Sequence, residues 1–289
     1  MKTKQFTRPT LYRQCGRGVG FRVFTLFGVM ALLLTPFIRP TPVAAVDTAA
    51  SPRIIRVATF NVLSQFWDRQ NSTKKTWNQR KASVFDRISA FDPDIIGLQE
   101  VILQNPDKSG VSKQRADVVN YMIKKGYKYY VGSKQNSGPI FFRASKFKVI
   151  NKGEILLVAA QPRSKSGPAA RYLTWVRLSS EHGQILVLNY HLNQFREVNQ
   201  QIAKLEKIIK NKPQPDEYVF LTGDFNERHG IIANKTELRL IDKATGIDHV
   251  LGSKNMRSKG WVKLKPGDPP ASDHRLVGVR VELRRQQLH

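Results

Sequence analysis

Tyr218–Asn226 reads YVFLTGDFN. Its first six residues are uncharged and rich in β-branched and aromatic types, which marks a buried strand. The strand ends on an acid and an amide, Asp224 and Asn226. The same layout recurs along the chain. Gln184–Leu192 (QILVLNYHL) ends on Asn189 and His191, Arg53–Val62 (RIIRVATFNV) on Asn61, and Asp94–Val101 (DIIGLQEV) on Glu100. Asp248 and His249 interrupt GIDHVL, and Asp273 and His274 stand in PPASDHRLVGV just before a last strand, Leu276–Leu283. A sheet that delivers short polar side chains to one rim is a means of building a precise site.

Helical patterns lie between these strands. Trp77, Lys81, Val84, Phe85 and Ile88 predict an amphipathic helix over Lys74–Phe91, stopped by Asp92-Pro93. Val118, Val119, Met122 and Ile123 predict a second, closed by Gly126. Phe195, Val198, Ile202, Leu205 and Ile209 predict a third, ending before Pro213. Tyr127–Val131, Ile140–Arg143, Phe147–Ile150 and Ile155–Val158 read as strands, and Arg171–Ser179 as the hairpin partner of Gln184–Leu192. Gln161–Arg171 and Lys254–Lys265 read as basic loops. Many strands with helices set between them fit neither a helical bundle nor a strict βαβ array; a mixed sheet pair covered by helices fits.

Composition narrows the class. The chain has 289 residues, a formal charge of +26 and one cysteine, with 40% apolar and 9% aromatic residues. The apolar and aromatic shares exclude a disordered chain. One cysteine excludes an internal disulfide framework, and a single long apolar run excludes a multi-span membrane protein. Residues 1–45 open with a basic stretch, continue with the apolar run Val23–Ile38 and end in VAA before Val46. This is the layout of a secretory signal peptide cleaved after Ala45. The expected organisation is thus a signal peptide over 1–45 and one domain over 46–289, exported to the periplasm or outside the cell. An uncleaved membrane anchor is the alternative, although the run spans only about 24 Å as a helix, short of a bilayer core of about 30 Å. Losing this segment removes seven basic and no acidic residues, which lowers the charge from +26 to +19. That charge suits a polyanion partner, and equally a solubility device.

A lone Asn or Asp after a strand is commonly a turn residue. The argument rests on the set: carboxylates, amides and histidines at successive strand ends, with no cysteine ligand. Such an oxygen-rich set suits a hard cation such as Mg²⁺ better than zinc.

Six ordered motifs carry a resemblance: TFNV (Thr59–Val62), LQEV (Leu98–Val101), NYHL (Asn189–Leu192), GDFN (Gly223–Asn226), IDHV (Ile247–Val250) and SDHR (Ser272–Arg275). Together they resemble the endonuclease/exonuclease/phosphatase superfamily over about residues 53–284. The resemblance implies an α/β fold, a four-layer α/β/β/α sandwich of two mixed sheets like that of deoxyribonuclease I. It also implies metal-dependent hydrolysis of a phosphoester. Glu100, Asn61 and Asp273 resemble the metal site, with Mg²⁺ expected and Mn²⁺ or Ca²⁺ as alternatives. Asp224 and Asn226 resemble the pair that orients water and phosphate, Asp248 and His274 a carboxylate–histidine pair, and His191 the second histidine of the nuclease branch. Arg171 and Asn189 are expected to bind substrate phosphate. Two positions depart from the pattern, Tyr190 for a usual threonine and Leu276 for a common proline, and no acid is evident to pair with His191.

The expected substrate is nucleic acid, because basic residues supply sequence-independent affinity for its phosphates. Phospholipid is the alternative, weakened by the lack of a long Trp/Phe-rich loop. A phosphomonoesterase and a non-catalytic binding module rank below these. Trp67 and Trp261 are read as core or rim residues, with stacking on a base as the alternative. No protein partner is implied, and a monomer is expected.

Overall fold

Successive side chains of a strand point to opposite faces, and the central strands here are buried on both. In β1 (Ile54–Asn61), Ile55 and Val57 join one core cluster while Ala58 and Phe60 join another. A sheet buried on both faces must be an inner layer.

The computed structural model describes residues 54–68, 73–101, 112–134, 138–159, 170–193, 197–226 and 229–284. All lie in one compact unit, Ala50–His289. The expected targeting segment, the Gln161–Ala169 part of the basic loop and Phe195 fall outside the described residues. Among the described residues no helix is long and apolar enough to cross a membrane.

After β1 come α1 (Trp77–Phe91), β2 (Ile95–Gln99), α2 (Lys113–Lys124), β3 (Tyr127–Tyr130), β4 (Ile140–Arg143), β5 (Lys148–Val158), β6 (Arg171–Ser180) and β7 (Gly183–His191). Then follow α3 (Val198–Asn211), β8 (Tyr218–Asp224), α4 (His229–Lys235), β9 (Arg239–Leu240), β10 (Asp248–Gly252), β11 (Met256–Lys263) and β12 (Val277–Leu283). The strands form two six-stranded sheets, in the orders β11-β12-β1-β2-β4-β3 and β5-β6-β7-β8-β10-β9. Each is mixed. β1 and β2 pair parallel in the first and β7 and β8 in the second, while the other pairings are antiparallel.

Three cores separate four layers. One lies between the sheets and includes Val57, Ile95, Val187, Phe220, Val250 and Val279. A second joins α1 and α2 to the first sheet through Trp77, Val84, Ile88, Val118 and Met122. The third joins α3 and α4 to the second sheet through Ile202, Leu205, Ile209 and Ile232. This is the expected α/β/β/α sandwich.

Four details differ from the sequence reading. α1 begins at Trp77 rather than Lys74, because Gln79 reaches back to accept from Thr76 N at 2.9 Å and sets the start there. The strands expected at Phe147–Ile150 and Ile155–Val158 are one strand, β5, whose bulges break the alternation. Lys254–Lys265 is not a loop: most of it is β11, an edge strand paired with β12. Its charges and a bulge between Ser258 and Trp261 disguise the pattern, and both are devices that protect an exposed sheet edge. The short elements α4 and β9 carried no periodic signal.

The sheets approach closely at Gly97 on β2. A Cβ there would meet Thr222 Oγ1 at 2.2 Å and Asn189 Oδ1 at 2.5 Å. Gly97→Ala therefore pushes β2 away from β7 and β8. The expected cost is about 3 kcal/mol, the upper end of the overpacking range, and thermal unfolding should fall by roughly 10 °C for a domain of this size. A calorimetric midpoint within two degrees of the parent, at the precision this scaling allows, would refute the close-approach argument.

Candidate active site

Parity places the site. Ile185 and Val187 face the central core, so Asn189 and His191 on β7 face the same way. Tyr218 and Phe220 do so on β8, which turns Thr222 and Asp224 inward, and Val250 on β10 carries Asp248 inward. On β1 and β2 the inward residues that continue the series are Thr59, Asn61, Gly97 and Gln99. The apolar core thus gives way to a polar layer between the sheets, and that layer to the site at their rim.

The polar layer is closed on itself. Gln99 Nε2 donates to Asn189 Oδ1 at 2.7 Å and to Thr59 Oγ1 at 3.0 Å, and Thr222 Oγ1 donates to Asn189 Oδ1 at 3.1 Å. Asn189 Nδ2 donates to Leu98 O at 2.9 Å and Pro139 O at 3.3 Å. Asn189 is 0% exposed and every polar atom of its amide is engaged. It was expected to bind phosphate; here it ties one sheet to the other beneath the site.

Above it, Asp224 is the hub. Its Oδ2 accepts from Asn61 Nδ2 at 3.0 Å and lies 3.4 Å from His191 Nε2 and 3.7 Å from His274 Nε2. Its Oδ1 accepts from Asn226 N at 3.1 Å. Asn61 Nδ2 also donates to Glu100 Oε1 at 3.0 Å, so the Glu100 and Asp224 carboxylates converge on one nitrogen. Ser64 N holds Glu100 Oε2 at 2.9 Å. His274 Nδ1 pairs with Asp248 Oδ2 at 2.8 Å. The acid missing for His191 is supplied from the other sheet as well as its own: Glu100 Oε1 lies 4.0 Å from its Nδ1 and Asp224 lies beside its Nε2. Glu100 and Asn226 hold their places with positive φ, 61° and 44°. Such conformations cost non-glycine residues about 1 kcal/mol or more and collect at functional sites.

The electrostatics set the two histidines apart. Burial pushes His191 well below the ordinary histidine range, and the charges of Arg171 and His274 push it further. Burial also acts downward on His274, but the Asp248 hydrogen bond and the charges of Asp248, Asp224 and Asp273 outweigh it and raise its pKa to about 9. At neutral pH, therefore, His191 is neutral and His274 is an imidazolium. Asp224 is raised to about 6, first by burial and then by the charge of Asp248. Titratable neighbours driven apart in this way carry distinct proton roles.

Arg171, at the start of β6, is half-buried and feels the charges of Glu100 and Asp224. Its Nε has no hydrogen-bond partner among the described residues, and neither has Asp248 Oδ1. The first is a buried donor suited to a phosphate oxygen, the second a buried lone pair suited to a cation. Asp224, Asp248 and His274 bring one ligand atom each within 4.8 Å of one another, a compact group that could hold a metal ion. That group is not the expected trio of Asn61, Glu100 and Asp273. Asn61 and Glu100 stand beside it through Asp224, whereas Asp273 is exposed, its Oδ1 accepting from Ser272 Oγ at 3.2 Å. For a hard cation the carboxylates Glu100, Asp224 and Asp248 are better donors than His274, whose Nδ1 is held by Asp248 Oδ2. Asn226 locks the GDFN turn, donating its Nδ2 to Leu192 O at 2.7 Å.

Arg80 was missed by the sequence reading. It is fully buried in α1 and donates to Val62 O, Leu63 O and Ala271 O, fastening the loop after Asn61 to the loop before His274. The available signal was a charged residue at a core position, on the face that carries Trp77, Val84 and Ile88. Tyr190 faces away from the site, packing its ring 5.3 Å from that of Phe225. His249 also faces away, in a buried pair with Asp242 at 3.0 Å.

Two face-to-face mixed sheets gather carboxylates and histidines at one rim. Residues 58–274 match the Endonuclease/Exonuclease/phosphatase family, and the chain belongs to it. It is thus a phosphoesterase-family protein, of a family that uses a divalent metal. A family protein from Bacteroides thetaiotaomicron shares the fold at 19% identity, TM-score 0.65, over 82% of this chain and 99% of that one. A mannosyl-6-phosphatase from the same organism does so at 20% identity, TM-score 0.61, over 78% and 99%. The human Nocturnin catalytic domain with bound sulfate does so at 18% identity, TM-score 0.62, over 80% and 95%. No curated protein matches the sequence significantly.

Proposed function

We propose that the protein is an exported, Mg²⁺-dependent phosphodiesterase that hydrolyses nucleic acid. The observation that carries the reaction is the pair of oppositely poised groups, a cationic His274 and a carboxylate Asp224, at 3.7 Å in a rim that also holds Arg171. Glu100 and Asp224, with Asn61 beside them, would hold the metal. When bound, the metal withdraws charge from the phosphate oxygens that repel a nucleophile.

The chain's own residues supply the proton transfers. Asp224 takes a proton from the attacking water as the new O–P bond forms. His274, held in orientation by Asp248, gives its Nε2 proton to the departing oxygen as the other O–P bond breaks. Arg171 and His191 offer N–H donors to the charge that builds on the phosphoryl oxygens. The formal charge of +26, or +19 without residues 1–45, favours a polyanionic substrate.

The test is a side-by-side assay in Mg²⁺ on supercoiled DNA, RNA and phospholipid, with Glu100→Ala as the inactive control. Nicking of DNA or cleavage of RNA supports the reading; turnover of phospholipid alone overturns it. Export is checked by the N-terminus of the protein recovered outside the cytoplasm, expected at Val46.

The pH profile follows from the two poised groups. The base must be deprotonated and the acid protonated, so kcat/KM rises as Asp224 ionises and falls as His274 loses its proton; without metal these groups stand at about 6 and about 9. Bound cation lowers both, so raising Mg²⁺ shifts both limbs toward acid. A profile flat from pH 5 to about 10 would contradict this assignment.

A further inference from the structure

One part of the rim has no role in the reaction above: the single 3₁₀ turn Gln65–Trp67 that follows β1. Its backbone is fastened on several sides. Ser64 caps it by accepting from Phe66 N at 3.2 Å, and the N–H of the same serine is the one that holds Glu100. Gln65 N donates to Gln114 Oε1 at 3.1 Å, and Gln114 N returns a bond to Gln65 Oε1 at 2.7 Å. Asp68, just past the turn, accepts from Trp77 N at 2.7 Å.

Yet the two rings this turn carries are left in water. Phe66 is 51% and Trp67 46% exposed, and no residue of the turn is buried. The rings meet edge to face, with centroids 4.9 Å apart and planes at 90°. A fixed backbone that holds unburied aromatics is not explained by packing, since large apolar side chains normally go to cores. Trp67 lies three residues from Ser64, which keeps its backbone within about 11 Å of the residue touching Glu100.

We infer that Phe66 and Trp67 form a stacking corner for a base of the substrate, next to the scissile phosphate. The inference rests on the nucleic-acid reading above and adds the group that recognises the base. Two rings at right angles give a flat base one face to stack on and one edge to abut. Stacking of this kind is tolerant of sequence, because every base has a π-face. A lipid-inserting element needs its rings on a protruding segment, whereas these sit on a fastened turn that directly follows Ser64, whose N–H holds Glu100.

Two measurements test it. In the first, tryptophan fluorescence is followed on titration with a short oligothymidylate in EDTA. The wild-type protein is quenched, Trp67→Ala loses most of the quench, and Trp261→Ala, which removes a tryptophan 40% exposed on the β11 edge, keeps it. In the second, kcat/KM in Mg²⁺ is compared for thymidine 5′-(4-nitrophenyl) phosphate and methyl 4-nitrophenyl phosphate. Trp67→Ala lowers the ratio between them roughly tenfold, mostly through KM, and Trp67→Phe restores it. The proposal is overturned by an unchanged ratio, by equal losses on both substrates, by no quench in the wild type, or by a quench that survives Trp67→Ala. It is equally overturned if the quench survives while binding to phosphatidylserine vesicles is lost, which would make the corner a membrane contact. If the wild type hydrolyses neither diester but the quench depends on Trp67, the base site stands and the nuclease reading falls.

Discussion

His274→Ala lowers kcat/KM on a phosphodiester by about a thousandfold and removes the alkaline limb of the pH profile. The size follows from losing a positioned general acid, worth roughly 10²–10⁴. The group is identifiable as the acid because its pKa is raised to about 9 despite burial, so it carries a proton wherever the enzyme would work. Its Nδ1 is committed to Asp248 at 2.8 Å, which leaves Nε2 to face Asp224 and the substrate. The substitution also strands Asp248, whose Oδ1 already lacks a hydrogen-bond partner among the described residues. A buried carboxylate without a cation partner raises the pKa of Asp224 further, so the acid limb should move up as the alkaline limb disappears. His274→Gln keeps a donor near that place but cannot release a proton, and should lose nearly as much. A loss under tenfold, with the circular dichroism spectrum unchanged, would remove His274 from the mechanism.

Why could this histidine be singled out from sequence when the architecture around it was only partly readable? The strands that build the cores are long apolar runs because both of their faces are buried. β1, β2, β7, β8 and β12 fall within a residue or two of their expected bounds for that reason. The failures are edge and short elements. β11 is charged, bulged at Ser258/Trp261 and carries Gly260 at φ 129°, so nothing in it alternates cleanly. β5 was split in two by its own irregularities. In each case the chain is avoiding the regular pattern that sequence reading depends on, because a regular exposed edge invites pairing with other chains.

The site was legible for a related reason. Polar residues at the ends of apolar strands share the parity of the core residues next to them, so Asn61, His191, Asp224 and, at the start of β10, Asp248 all had to emerge on inner faces. Depth was not legible. Asn189 shares parity with His191 but lies two residues, roughly 7 Å, further down the strand. That step moves it from the rim into the polar layer among Gln99, Thr222 and the Leu98 carbonyl. Arg80 was hidden differently. A charge at a core position of an amphipathic helix reads as a flaw in the pattern, and its partners are carbonyls, which every residue carries.

Asp224→Asn should separate activity from stability in opposite directions. Activity falls by about 10⁴, the upper end of the range for a general base, because the residue touches Asn61, His191 and His274 with one oxygen and orients the GDFN turn with the other. Stability of the metal-free protein rises. The sign is fixed by linkage: a carboxyl whose pKa is about 6 in the folded protein, against 3.8 as the ordinary value, binds its proton more tightly when folded. Its contribution is present below the unfolded pKa and is lost as pH climbs through 6. At pH 8 the ionised form therefore costs up to about 3 kcal/mol, reflecting burial and repulsion from Asp248. Asparagine removes that charge at nearly constant volume. Some of the gain is returned, since its amide must turn an N–H toward the donor on Asn61, so the net stabilisation should be about 1–2 kcal/mol, or a few degrees in the melting midpoint. Magnesium should reverse the ranking: it stabilises the parent by offsetting the clustered carboxylates and does much less for the variant. If Asp224→Asn melts below the parent at pH 8 without metal, the carboxylate is a structural strut and the strain assigned to this rim is absent.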